Sequence, residues 1–176
     1  MNSMFSGCLN LISLNLSNFD TSKVTDMSSM FNRCEKLELL YIYNFNISNI
    51  EAMSNMFSCC YSLTSLDISN FANSKARTIA KMFYYCSSLT SLNLSKFDTS
   101  ETVFMNNMFD GCSSLEYINL EIIKRDKIIS YLNMFEQVPD NVVICLDENN
   151  DKIYNQIKNK KCLVVYCSDD WNLKKN

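Results

Sequence analysis

Six Met-Phe pairs recur along the chain at one unvarying spacing: Met4-Phe5, Met30-Phe31, Met56-Phe57, Met82-Phe83, Met108-Phe109 and Met134-Phe135. Each pair follows the last by 26 residues, with no insertion anywhere. A unit of that length buries too little apolar surface to fold alone. It must bury its apolar face on its neighbours, so a strict period in the twenties predicts a stack of units in register.

Several columns stay apolar from unit to unit. Cysteine occupies one column at Cys8, Cys34, Cys60, Cys86 and Cys112, with Val138 in its sixth place. Leucine and isoleucine hold three more, through Leu11, Leu14 and Leu16 and their counterparts. A second aromatic column runs Phe19, Phe45, Phe71, Phe97, with Ile123 next. The stretch L-x-x-L-x-L alternates at period two and predicts a short strand with one face inward. Asn-Phe-Asp-Thr-Ser after it is turn chemistry, with Thr or Ser able to cap the next element. Val24, Met27, Met30-Phe31 and Cys34 then fall three or four apart, the spacing of one helix face. The expected unit is strand, turn, short helix, turn. Stacked, it gives an α/β repeat: a leucine-rich-repeat solenoid with a parallel strand ladder on one face and short helices on the other.

The pattern M-F-x-x-C-x-x-L-x-x-L-x-L-S-N-F-D-T-S-x-V-x-x-M resembles the BspA-like family of leucine-rich-repeat surface proteins. Residues 4–29 and 82–101 carry it most fully, and the likeness covers about residues 1–135. It departs at Leu39, Tyr41 and Tyr43 in the second unit and at Ile122 to Asp126 in the fifth. Phe19 also stands where the usual leucine-rich consensus has Asn or Cys. The resemblance implies a cell-surface protein used in adhesion.

The chain divides into three segments: an array over residues 1–135, a C-terminal cap over 136–167, and a linker or tail over 168–176. The cap is expected as a strand at Val142 to Leu146, a helix within Asn149 to Asn159, and a strand at Cys162 to Cys167. Trp171 is expected to pack on it. Met1-Asn2-Ser3 precedes Met4 just as Met27-Ser28-Ser29 precedes Met30, so the chain opens inside a unit. An N-terminal part bearing any export signal and cap is expected before it.

Chemistry is expected to be absent. The chain has no histidine, which removes Ser-His and Cys-His nucleophile pairs. Its two glycines cannot form a phosphate-cradling loop. Paired acids such as Asp147-Glu148 and Asp169-Asp170 read as solvated turns. Asp20 and Asp98 share a column, but Ala72 and Lys124 interrupt it, which argues against a calcium ladder. No C-x-x-C pair exists for zinc. The expectation is no enzyme, no metal and no cofactor. A net charge of -3 with mixed signs offers no stripe for nucleic acid, and no apolar run is long enough to insert in a membrane.

In-register parallel units would hold the cysteine column nearly 5 Å apart at Cβ, wider than the roughly 3.5–4.5 Å of disulfides. Those thiols are expected free and buried. Cys145, Cys162 and Cys167 differ, because Cys145 falls between inward Ile144 and Leu146 and should point outward. Cys145–Cys162 and Cys162–Cys167 are both candidate disulfides if the protein is exported.

The outward strand positions remain as the candidate binding face. They carry Ser13, Asn15 and Ser17, then Leu39, Tyr41 and Tyr43, then Ser65, Asp67 and Ser69, then Ser91, Asn93 and Ser95, and finally Tyr117, Asn119 and Glu121. Tyr41, Tyr43, Asp67, Asn93, Tyr117 and Asn119 are the candidate contact residues for a protein or glycan on another cell or matrix. The bland alternative is a solvated strand face on a structural spacer. Three N-x-S sequons, at Asn15, Asn46 and Asn93, read as by-products of the repeat. The expected location is the cell surface or outside the cell, with a cytoplasmic interaction scaffold as runner-up.

Overall fold

The computed structural model describes residues 1–72, 74–120, 127–146, 151–157 and 163–166. In chain order its six strands and one helix are β1 Ser13–Asn15, β2 Leu39–Tyr41, β3 Ser91–Asn93, β4 Tyr117–Asn119, β5 Val143–Leu146, α1 Asp151–Ile157 and β6 Leu163–Tyr166. Every strand pair is parallel. β1 pairs β2 through Leu14↔Leu40, β3 pairs β4 through Leu92↔Ile118, and β4 pairs β5 through Ile118↔Ile144. Each of those registers is an offset of one 26-residue unit, as the period requires. β5 and β6 break it, pairing Ile144 with Val164. β5, α1 and β6 fall within the spans expected for strand, helix and strand.

The strand ladder is not continuous. It divides into a two-stranded sheet β1-β2 and a four-stranded sheet β3-β4-β5-β6. Among its described residues the third unit supplies no strand, although Leu66 and Ile68 are buried there at 9% and 2% exposure. Side chains tie this unit to the second where the sheet does not. The Asn70 amide donates to the carbonyls of Phe45 (2.6 Å) and Ile42 (3.4 Å).

On the opposite side the expected helices are absent. Among the described residues α1 is the only helix, and the Met-Phe segments form a second inter-unit ladder instead. The N–H groups of Met27, Ser29, Phe31 and Arg33 donate to the carbonyls of Ala52, Ser54, Met56 and Ser58 at 2.8–3.0 Å. The intervening N–H groups of Met30, Asn32 and Cys34 turn back to the carbonyl three residues earlier. An α-helix would need each of these N–H groups for the carbonyl four residues back. Alternate residues have given them to the next unit, so no helix can close. Two left-handed residues per unit enforce the path, at Ser29 and Arg33 (φ 56° and 60°), Asn55 and Cys59, then Lys81 and Tyr85. The three-residue apolar spacing is real, but it belongs to successive tight turns. Parallel bridges Asp26↔Ala52, Ala52↔Thr78, Thr78↔Phe104 and Phe104↔Ser130 carry this ladder from the first unit to the fifth.

Between the two ladders lies the core. Phe5, Phe31, Phe57, Phe83, Phe109 and Phe135 form one stack, with successive ring centroids 5.5–5.8 Å apart. That spacing suits offset aromatic contact. Phe45, Phe71 and Phe97 form the second column at 2% exposure or less, whereas Phe19 in the first unit is 38% exposed. Thr21 does more than cap a turn. Buried at 1%, its hydroxyl donates to the Asn46 carbonyl (3.0 Å) and accepts from the Asn46 N–H (2.7 Å).

The cysteine column is buried and free at Cys34, Cys60, Cys86 and Cys112, while Cys8 is exposed. Each buried thiol donates to a phenylalanine carbonyl of the preceding unit: Cys34 to Phe5, Cys60 to Phe31, Cys86 to Phe57 and Cys112 to Phe83, all at 3.1–3.2 Å. Cys145 is disulfide-bonded, and it is covered rather than outward-exposed, at 1% exposure. The candidates Cys162 and Cys167 lie outside the described residues, as do Glu121 to Asp126, Asp147-Glu148, Asp169-Asp170, Trp171 and the 168–176 tail.

Candidate binding face

Strand alternation puts Leu14, Leu40 and Leu92 inward and their neighbours outward. The second unit stands apart on the outward side, with Leu39, Tyr41 and Tyr43 exposed at 50%, 46% and 51%. Register places Ser13 beside Leu39 and Asn15 beside Tyr41. Ile12, 57% exposed, adjoins the same patch, since its carbonyl accepts the N–H groups of Glu38 (2.8 Å) and Leu39 (3.3 Å). An apolar and aromatic island therefore crosses an otherwise polar face.

Asp67 and Asn93 are exposed, as expected, but each also has a local structural task. Asp67 Oδ1 accepts the Ser69 N–H at 3.0 Å, and Asn93 Oδ1 accepts the Ser95 N–H at 2.9 Å. Asn15 does the same with Ser17 at 3.0 Å. These Asx turns end the strand stretch. The Ser69 backbone N–H shifts the Asp67 carboxyl pKa below its ordinary value.

The face does not extend as far as the alternation implies. Tyr117 is half-buried and Asn119 is buried at 5% exposure. The register partner of Asn119 on β5 is Cys145, itself buried, so the outward row is covered at these two positions. A side chain there is shielded from water whatever its polarity. Asn119 is thus removed from the candidate contacts, and the accessible row runs Asn15, Tyr41, Asp67, Asn93.

Other polar columns resolve into turns. Asp20 and Asp98 each accept a serine N–H at 2.9 Å, from Ser22 and Ser100, in the same Asx geometry. Among the described residues no group of three or more acidic, cysteine or histidine side chains is placed to hold a metal ion. Sequon residue Asn46 also accepts from its serine, Ser48, at 3.0 Å.

Alternation in the strands gave no warning of a second feature, on the Met-Phe side. Tyr85 reaches across Gly111 to Gln137, whose amide donates to the Tyr85 hydroxyl at 3.1 Å. Tyr84 packs edge-on to Tyr85 at 4.6 Å, with the Lys81 ammonium 5.2 Å from the Tyr84 ring centre. The signal was present in the columns: Tyr84-Tyr85 replaces Ser6-Gly7 and Asn32-Arg33. Phe104, Ile129 and Leu132 are also exposed, at 44%, 76% and 64%.

No helix among the described residues is long and apolar enough to cross a membrane. No curated protein matches the chain, and no solved structure does. A family model described as "Mycoplasma protein of unknown function, DUF285" matches over residues 1–120 and again over 67–140. The Met-Phe units thus fall inside the matched span, and the chain belongs to the DUF285 family.

Proposed function

We propose that this chain is a leucine-rich-repeat solenoid of the BspA-like kind, exposed on a cell surface or secreted, that binds a protein or glycan through its strand face without catalysis. The observation that carries the reading is the exposure of Leu39, Tyr41 and Tyr43 side by side among serines and amides. Tyrosine supplies contact area at low entropic cost, which is why binding surfaces favour it. The bridges of the Met-Phe side run behind the face, and Asn70 ties the third unit to the second, so little ordering accompanies contact.

The rival reading is a spacer that binds nothing, and the Asx turns at Asp67 and Asn93 favour it, because they explain those residues without a ligand. Binding to immobilised matrix proteins and to a glycan array separates the two. The wild-type chain is expected to bind one of them, and the Tyr41→Ala/Tyr43→Ala double variant to lose that binding while keeping its thermal midpoint. Binding that survives the double variant removes this face from the proposal. A wild type that binds nothing leaves the spacer.

A further inference from the structure

The charges on the strand face are of one sign. The outward-facing stretches 12–17, 38–43, 64–69, 90–95 and 116–120 contain Glu38, Asp67 and Glu116, all exposed, and no lysine or arginine. The whole chain mixes 16 basic residues with 19 acidic ones, so the absence is local to these stretches. Glu38 begins the same stretch that carries Tyr41 and Tyr43, and Asp67 stands one unit on from Tyr41 in the outward row. Exposed tyrosine rings that share a strand stretch with one carboxylate and an outward row with another are an arrangement that attracts a cation. The ring faces take a guanidinium or ammonium group, and the carboxylates supply the counter-charge.

We propose that the partner of this face is an extended, arginine- or lysine-bearing polypeptide segment, docked across Tyr41 and Tyr43 between Glu38 and Asp67. This rests on the strand-face reading above and narrows it. Anionic lipids, nucleic acids and acidic glycans meet repulsion here, and a neutral glycan leaves the one-signed charge without a role. The flat outward row suits a chain lying along it, with the rings as the central anchors.

The repeat itself provides a clean variant. Asn15 and Asn93 occupy the Asp67 column and make the same serine turn at 3.0 and 2.9 Å. Asp67→Asn therefore removes the charge and keeps the turn. The probes are a labelled Arg-Gly repeat peptide, its Glu-Gly counterpart and a neutral N-acetylglucosamine hexamer, each titrated into the full chain. The Arg-Gly peptide is expected to bind, to weaken several-fold between about 50 mM and about 200 mM salt, and to lose roughly tenfold in affinity with Glu38→Gln/Asp67→Asn, as about 1.4 kcal/mol implies. Tyr41→Ala/Tyr43→Ala is expected to cost at least as much.

Glu51→Gln/Glu136→Gln, which removes exposed acids of the Met-Phe side, is expected to change nothing. Equal loss in that control would reduce the binding to net charge and overturn the proposal. So would binding that ignores the tyrosines. Hexamer binding without peptide binding overturns the cationic partner while leaving the strand-face reading in place. A wild type that takes none of the three probes sinks the cationic partner, and the matrix and glycan-array result then decides the broader reading by itself.

Discussion

The thiol of Cys60 donates to the carbonyl oxygen of Phe31, one unit back, at 3.2 Å. That carbonyl also accepts the Cys34 N–H at 3.1 Å, so one buried oxygen joins a turn to the next unit's side chain. Cys60→Ala removes the donor and leaves a small void in a site with no exposed surface. The expected loss is about 1–3 kcal/mol, read from denaturant unfolding. Cys8→Ala, at the exposed end of the same column, is expected to cost well under 1 kcal/mol.

Burial raises the thiol pKa along this column, to about 11 at Cys34 and about 12 at Cys112, and further up at Cys60 and Cys86. Only the thiolate reacts. At pH 8 a thiol reagent is expected to label Cys8 and half-exposed Cys59 quickly, and these four only on unfolding. Rapid native labelling of all six would contradict the packing.

The same shifts set a pH dependence of stability. Above the ordinary thiol value of 9.0 the unfolded chain loses protons that the folded column keeps, so stability falls as pH rises from about 9. Each buried thiol contributes up to about 1.4 kcal/mol per pH unit while only the unfolded form ionises. Thermal midpoints between pH 8 and pH 10.5 (about one and a half units beyond the onset) check the sign. Cys86→Ala is expected to flatten the slope.

Gly111 and Gly7 share a left-handed backbone, at φ 80° and 76°, but differ in surroundings. A Cβ at Gly111 would lie 2.7 Å from the Tyr85 ring, whereas one at Gly7 meets nothing within 4 Å. Gly7→Ala should cost about 1 kcal/mol of backbone strain. Gly111→Ala should cost about 2–4 kcal/mol, because Tyr85 must also leave its place over the glycine and its bond to Gln137. Equal costs would mean that the tyrosine is not held there.

Phe57 stacks between Phe31 at 5.6 Å and Phe83 at 5.5 Å, fully buried. Phe57→Ala is expected to lose about 3–5 kcal/mol. Phe5 touches one ring and is only half-buried, so Phe5→Ala should lose about half as much. A reversed order would refute a stack that is tightest in its middle.

A strict period constrains some features of this chain and leaves others open. Identical spacing makes like residues neighbours, so the phenylalanine stack, the buried cysteine column, the 26-residue strand register and the exposed Tyr41/Tyr43 pair could all be read from the chain. Spacing says nothing about where a backbone N–H sends its hydrogen bond. Met27, Ser29, Phe31 and Arg33 could close a helix on their own chain or reach the next unit, and the apolar pattern is the same either way. Only stacking brought the carbonyls of Ala52, Ser54, Met56 and Ser58 close enough to win, and the one hint in the chain was Gly7 and Gly111, which stand in the Arg33 column and share its left-handed backbone. The burial of Asn119 beside Cys145, the strand absent from the third unit and the donor role of the thiols are likewise decided between units. Periodicity determines which residues meet; the assembled neighbours decide which groups bond and which see water.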